Sequence, residues 1–231
     1  DVGGIDAAQK LAILSSIAFQ SEINFNDIEV EGIEQISLID IQNAKAMGYR
    51  IKLIGTSELT NEGLHQAVQP CLVPKSSAIS KLEGGTNMIT IDADFVGQTS
   101  FIGPGAGSGP TASAIVADLI DIAQGKEMPV FGVTTKSLKK HKKGNLGVER
   151  CYYVRLSLVD KPGALAKIAS VLGENQVSID RMRQTAHDGD EAPVLIVTHK
   201  VTRTNLNKAL SKIESLDVCL SPPVPLKIEE I

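Results

Sequence analysis

Apolar residues recur at helical spacing from the start of the chain. Ile5, Leu11, Leu14, Ile17 and Ala18 mark one stripe and Ala7, Ala8 and Ala12 add propensity, so a helix is predicted from Gly3 to about Gln20. A shorter helix is predicted over Asp40-Ile-Gln-Asn-Ala-Lys-Ala-Met47, stopped by Gly48. Polar and apolar residues then alternate through Tyr49–Gly55, the rhythm of a half-buried strand. Weaker strand signals lie at Gln66–Val73 and Met88–Phe95. The run Gly103-Pro-Gly-Ala-Gly-Ser-Gly-Pro110 reads as a loop, because its four glycines and two prolines break either period. Thr111 is placed to cap a helix over Ala112–Ala123, ending before Gly125. Residues 126–150 form a connector containing Gly, Lys and Pro.

After the connector the rhythm changes. Tyr152–Val159 alternates as a strand, Asp160-Lys-Pro-Gly163 is a turn, and Ala164–Leu172 is helical. Gln176–Thr185 and Ala192–Val201 read as strands separated by a turn at His187–Asp190. Thr202 caps a helix to about Ser215, and Asp217–Leu220 is a final strand. The order β-α-β-β-α-β is the ferredoxin-like arrangement, and the whole chain falls in the α+β class.

Composition narrows the setting. The 231 residues allow one large domain or two ordinary ones, with 42% hydrophobic and 22% charged residues, the balance of a soluble globular protein. No stretch approaches the roughly 18 to 20 apolar residues of a membrane span, and no signal peptide opens the chain, so a cytoplasmic protein is expected. Cys71, Cys151 and Cys219 are odd in number and dispersed, which predicts free thiols in a reducing compartment. His65, His141, His187 and His199 show no metal-ligand spacing, so no metal site is expected. The net charge of −4 divides into −9 over residues 1–130 and +5 over 131–231, as at a domain boundary. The basic run Lys136–Lys143 lacks interleaved aromatics and reads as a solvated linker rather than a nucleic-acid surface. Domains are therefore expected at 1–130 and 151–231, joined by a linker at 131–150. A start at Asp1, without Met, suggests a piece of a longer chain.

The candidate chemistry begins at Asp1-Val-Gly-Gly-Ile-Asp-Ala-Ala-Gln-Lys10. Asp6 and Lys10 share one helix face, and the Gly3-Gly4 turn lets Asp1 fold back beside them. A lysine among carboxylates can hold or relay a proton, and paired carboxylates can receive an ammonium group. The same spacing also describes an ordinary surface ion pair. The glycine run is neither Gly-x-Gly-x-x-Gly nor a P-loop. Its unhindered amides at a helix start suit a phosphate or the nicotinamide end of a dinucleotide, and equally suit a flexible connector.

Here the sequence resembles homoserine dehydrogenase. Gly3-Gly-Ile-Asp-Ala-Ala-Gln-Lys-Leu-Ala-Ile-Leu14 is similar to that family's signature. Val30-Glu-Gly-Ile-Glu34, Asp40–Gly55 and Gly103–Ala114 resemble further family blocks in family order. The resemblance implies Lys10 as the catalytic lysine, Asp6 as a ligand of the substrate and its water, and Asp1 as an acidic group near the substrate amine. It implies that Gly103, Gly105 and Gly107 approach an NAD(P)H cofactor. Residues from Tyr152 to about Leu226 resemble an ACT domain, through Leu158-Val-Asp-Lys-Pro-Gly-Ala-Leu165 and Val177-Ser-Ile-Asp180. In such modules an amino acid lies between two copies, which implies Asp160, Gly163 and Ser178 as regulatory ligands and threonine as the effector. Asp-x-Pro-Gly is also a common way to begin a helix, with Asp160 as its cap.

The resemblance implies interconversion of L-homoserine and L-aspartate 4-semialdehyde, toward threonine and methionine, in a homodimer or larger homo-oligomer. It places the nucleotide-binding domain, a monovalent-cation site and an acidic substrate ligand ahead of Asp1, so these residues alone are expected to be inactive. The contrasting expectation is a non-catalytic amino-acid sensor on the same scaffold. A dehydrogenase for another hydroxy acid is a third.

Overall fold

The structure, a computed structural model, describes residues 1–144, 149–184 and 191–229. Helix α1, Ile5–Phe19, begins at Gly4, whose φ of 77° lies in the left-handed region. It buries Ala8, Leu11, Ala12, Ser15 and Ser16, whereas Ile5, Leu14 and Ile17 of the predicted stripe face outward. The inversion has a packing cause. Small residues let α1 lie close on the strands beneath, where a Cβ on Gly55 would stand 3.5 Å from a Leu11 methyl. The two buried serines donate to the carbonyls of Leu11 and Ala12, one turn back.

Strand β1 (Glu29–Val30), helix α2 (Leu38–Ala46) and the hairpin of β2 (Tyr49–Thr60) with β3 (Gly63–Pro74) follow. The hairpin pairs along its whole length, from Tyr49↔Pro74 to Thr60↔Gly63. β1 joins β3 in parallel at Ala67 and Val68. A separate hairpin, β4 (Thr86–Ala93) with β5 (Gly97–Pro104), leads into α3 (Ser108–Ala123). The glycine run is therefore only partly loop. Gly103 and Pro104 end β5, and Pro110 sits in the first turn of α3, where its missing N–H has no helical partner to lose. The N-cap is Gly107 rather than Thr111, whose N–H donates to the Gly107 carbonyl at 3.1 Å.

The C-terminal module comprises β6 (Tyr152–Val159), α4 (Ala164–Glu174), β7 (Ile179–Gln184), β8 (Glu191–Thr198), α5 (Arg203–Glu214) and β9 (Val224–Ile228). Its strand order, β9-β6-β8-β7, is the ferredoxin-like one. Thr202 caps α5 as predicted, its hydroxyl accepting from the Asn205 N–H. The turn predicted at His187–Asp190 lies outside the described residues. The last strand is β9; Asp217–Leu220 meets β6 through the isolated bridge Leu158↔Cys219 rather than a strand ladder. Two neighbouring prolines, another within the strand and a buried Lys227 hide β9 from a hydrophobic-pattern reading.

β9 also unites the two halves. It pairs antiparallel with β6 and parallel with β3, at Cys71↔Lys227 and Leu72↔Ile228, giving one seven-stranded sheet. On one face of the module, α4 and α5 cover Tyr152, Val154, Leu156, Val194 and Ile196. On the other, Tyr153, Leu195, Val197, Leu226 and Ile228 pack with Leu72 of β3 and Ala44 of α2. β6 is thus buried on both faces over Tyr152–Val154, more completely than its alternation predicts. The basic connector is likewise less free than expected. Its side chains are largely exposed, but its backbone follows the end of α1 and the start of β3: Lys139 N–H donates to Gln20, Glu22 N–H to Lys139, and Leu64 N–H to Lys142.

Candidate functional site

Asp1, Asp6 and Lys10 lie at the N-terminal end of α1. The Gly4 N–H donates to the Asp1 carbonyl at 3.0 Å, closing a turn that leads directly into the helix. Only glycine fits at position 4. Besides the positive φ, a Cβ there would crowd methyl groups of Val30 and Val68 at 3.2 and 3.3 Å. One helical turn separates Asp6 from Lys10, and the Lys10 Nζ donates to Asp6 Oδ2 at 2.7 Å. Both side chains are more than half exposed, so the pair adds only about 0.3–0.5 kcal/mol to stability. The exposed Ile13 and Ile17 continue the same helix face beyond Lys10. Chemically, this is an exposed ammonium paired with a carboxylate, beside a turn carrying a second acidic residue.

The three candidate glycines are small for different reasons. Gly103 pairs with Asn87 in the β4–β5 hairpin, and open space surrounds its missing Cβ. At Gly105 a side chain would collide with Asn87, while the Gly105 N–H donates to the Gly85 carbonyl. Gly107, at φ 116°, caps α3 without a side-chain hydrogen bond, leaving the first-turn N–H groups open. Gly105 and Gly107 are exposed and Gly103 is half-buried, so open backbone runs from the end of β5 to the start of α3.

In the C-terminal module, Gly163 is the N-cap of α4 at φ 90°, replacing Asp160 in the predicted capping role. The preceding turn is closed by Lys161 N–H to Val159 and Ala164 N–H to Lys161. Ser178 lies just before β7, and its carbonyl accepts from His199 N–H. Strand register separates these groups. Val159, beside the Asp160 turn, pairs with Glu191 at one end of β8, while Ile179, next to Ser178, pairs with Thr198 at the other. The eleven residues of α4 span about 16 Å between those ends. A ligand touching both groups would have to lie between two copies.

Polar contacts across the halves went unpredicted, Asp40 and Glu31 each supplying one carboxylate. Asp40, fully buried, accepts from the Ser37 backbone and hydroxyl through Oδ2, and from Tyr153 Oη and Arg155 Nε through Oδ1, each of the latter at 2.7 Å. Burial alone would raise its pKa. The hydrogen bonds from Arg155, Ser37 and Tyr153 outweigh that and lower it. Ser37-x-x-Asp40 is a capping-box spacing, a legible signal for a helix start but not for its reach to β6. Glu31 meets Arg203 at 3.6 Å. Burial raises the Glu31 pKa, and the nearby guanidinium pulls it back.

Among the described residues, no cluster of His, Cys, Asp or Glu could hold a metal, and no helix is long and apolar enough to cross a membrane. None of the three cysteines forms a disulfide.

Comparison with known proteins adds a family to this geometry. The sequence model for homoserine dehydrogenase matches residues 1–120, and that for the ACT domain matches residues 152–218. A homoserine dehydrogenase of Pseudomonas aeruginosa is 35% identical over 242 aligned residues, covering all of this chain and 55% of the relative. One from Neisseria gonorrhoeae is 34% identical with the same coverage. The crystal structure of a homoserine dehydrogenase from Thiobacillus denitrificans superposes with a TM-score of 0.84 at 34% identity, covering the whole chain and 54% of that protein. The chain thus spans about half the length of the relatives it matches.

Proposed function

Because the chain belongs to the homoserine dehydrogenase family, we propose that it supplies the substrate-handling residues for interconverting L-homoserine and L-aspartate 4-semialdehyde, on the route to threonine and methionine. The supporting observation is the Asp6–Lys10 pair, joined at 2.7 Å on an exposed face of α1 within the matched segment. Oxidising an alcohol requires loss of its hydroxyl proton as the carbon-bound hydrogen departs as hydride. Lys10 takes that proton, directly or through a water, after giving its own ammonium proton to the solvent to which it is exposed. Asp6 orients the lysine and holds the substrate, and Asp1 receives the substrate ammonium. The backbone of Gly103, Gly105 and Gly107, leading into the start of α3, fits an approaching NAD(P) cofactor, which supplies hydride acceptance when bound.

The test is homoserine-dependent reduction of NAD⁺ and NADP⁺ by the complete enzyme, followed by absorbance of the reduced nicotinamide. Saturable turnover with homoserine is expected. Equal or better turnover with other hydroxy acids, or none with homoserine, would overturn the substrate assignment.

We assign residues 1–130 to substrate binding, catalysis and dimerisation, residues 131–150 to the connector, and residues 151–231 to an amino-acid sensor, in a cytoplasmic homo-oligomer. Threonine is the proposed effector. The Asp160–Gly163 turn receives its charged groups and Ser178 of a second copy its side chain. At one hundred times its dissociation constant, such a ligand should add about 2.7 kcal/mol to the folded state. Thermal melts with threonine, methionine, isoleucine and lysine check this. If none raises the melting temperature, the module is an assembly device.

A further inference from the structure

The N-terminal turn that carries Asp1 is clamped from outside its own helix. Ile33 N–H donates to the Val2 carbonyl at 2.9 Å. Gly32 packs so tightly that a Cβ on it would stand 2.7 Å from the Val2 carbonyl oxygen and 2.8 Å from the Gly3 Cα. Glu31, immediately before, continues the β1–β3 ladder through its N–H to the Val68 carbonyl, and its own carbonyl lies against Gly4. Residues 31–33 therefore grip Val2–Gly4, so their position sets where Asp1 stands relative to Asp6 and Lys10.

The side chain at the head of this clamp points to the other half of the molecule. Glu31 Oε2 is 3.6 Å from the Arg203 guanidinium, and both side chains are about two-thirds buried. Arg203 is the first residue of α5, and its guanidinium lies over the Tyr152 ring, 5.6 Å from the centroid. Tyr152 is a core residue of β6. The arginine is thus anchored by the C-terminal module on one side and meets the clamp on the other.

From this geometry we infer that the Glu31–Arg203 pair is the contact through which the C-terminal module holds the Asp1–Gly4 turn in its working position. Glu31 and Arg203 are positioning residues, acting through residues 32–33 on Asp1; the inference rests on the assignment of Asp1, Asp6 and Lys10 to the chemistry. A partly exposed ion pair contributes little to folding, so its loss should appear in substrate binding rather than in stability. Displacing Asp1 weakens capture of the ammonium group more than proton transfer at Lys10, so the Michaelis constant should move more than turnover.

The experiment uses the active enzyme with Glu31→Gln, Arg203→Met, both together, and the reversed pair Glu31→Arg/Arg203→Glu. Lys10→Ala is carried in the same assay. Each single change should lower kcat/KM for homoserine by about three- to thirtyfold, chiefly through KM. The double change should be no worse than the singles, the reversed pair should recover much of the loss, and melting temperatures should stay close to the parent's. Additive single effects, an unchanged KM, or a loss seen only in melting temperature would overturn the coupling. If Lys10→Ala remains as active as the parent, the site assignment fails instead, whatever the pair variants show.

Discussion

Replacing Lys10 by alanine in the active enzyme should lower turnover at saturating homoserine by about 10²–10⁴, the usual weight of a positioned acid–base group. Two features make this a clean experiment. The side chain is two-thirds exposed and its hydrogen-bonded partner, Asp6, is also in solvent, so truncation leaves neither a cavity nor a buried orphan charge. The helix keeps its fold because α1 is held by Ala8, Leu11 and Ala12 on the opposite side. A large loss of turnover with unchanged melting is therefore a chemical effect. Near-parental turnover would move the Asp6–Lys10 pair into the large class of ordinary helix-surface ion pairs.

The largest effect on folding is expected at Asp40. Its carboxylate is fully buried and compensates Arg155, whose side chain is largely buried, while also satisfying the Tyr153 hydroxyl. Asp40→Ala leaves both donors stranded and removes the Asp40 half of the α2 capping box, at a cost of about 3–5 kcal/mol. Urea denaturation at neutral pH measures it, and a cost below about 1 kcal/mol would mean that water replaces the lost acceptor. The same contacts set an acid limb. Hydrogen bonds hold the folded carboxyl below its ordinary value of 3.8, so the unfolded chain takes up the proton first as pH falls. The stabilisation is complete above that value and lost as pH drops through the folded one. In Asp40→Ala the corresponding portion of the acid dependence should disappear.

What could be read in the sequence follows from which forces are local. The β-α-β-β-α-β order was legible because β6 alternates, β8 is a short continuous apolar run and Thr202 carries its own cap. Asp6 and Lys10 were legible as a pair because helix geometry alone joins residues four apart. The exposed face of α1 was misread, because Ile5, Leu14 and Ile17 look like a core stripe while the true contact uses Ala and Ser to approach the sheet. Gly107 was placed near a helix start, but the reach of β5 to Pro104 depends on cross-strand pairing with Thr86, which no local pattern reports. Asp40–Arg155 and Glu31–Arg203 bridge more than a hundred positions, and a single sequence contains no signal for such distance.

The strand shared between the halves limits how the C-terminal module can be removed. Deleting everything from Cys151 onward takes β9 away from β3, and the backbone of Cys71 and Leu72, now sealed inside the sheet, becomes an open apolar edge. Leu72 also loses Tyr153, Leu226 and Ile228 from its packing shell. Such an edge is a template for pairing with another chain, so a truncated enzyme is prone to aggregate or swap strands for reasons unrelated to effector binding. The proposed effector site is therefore better tested by altering the Asp160–Gly163 turn in the full-length polypeptide than by cutting the module away.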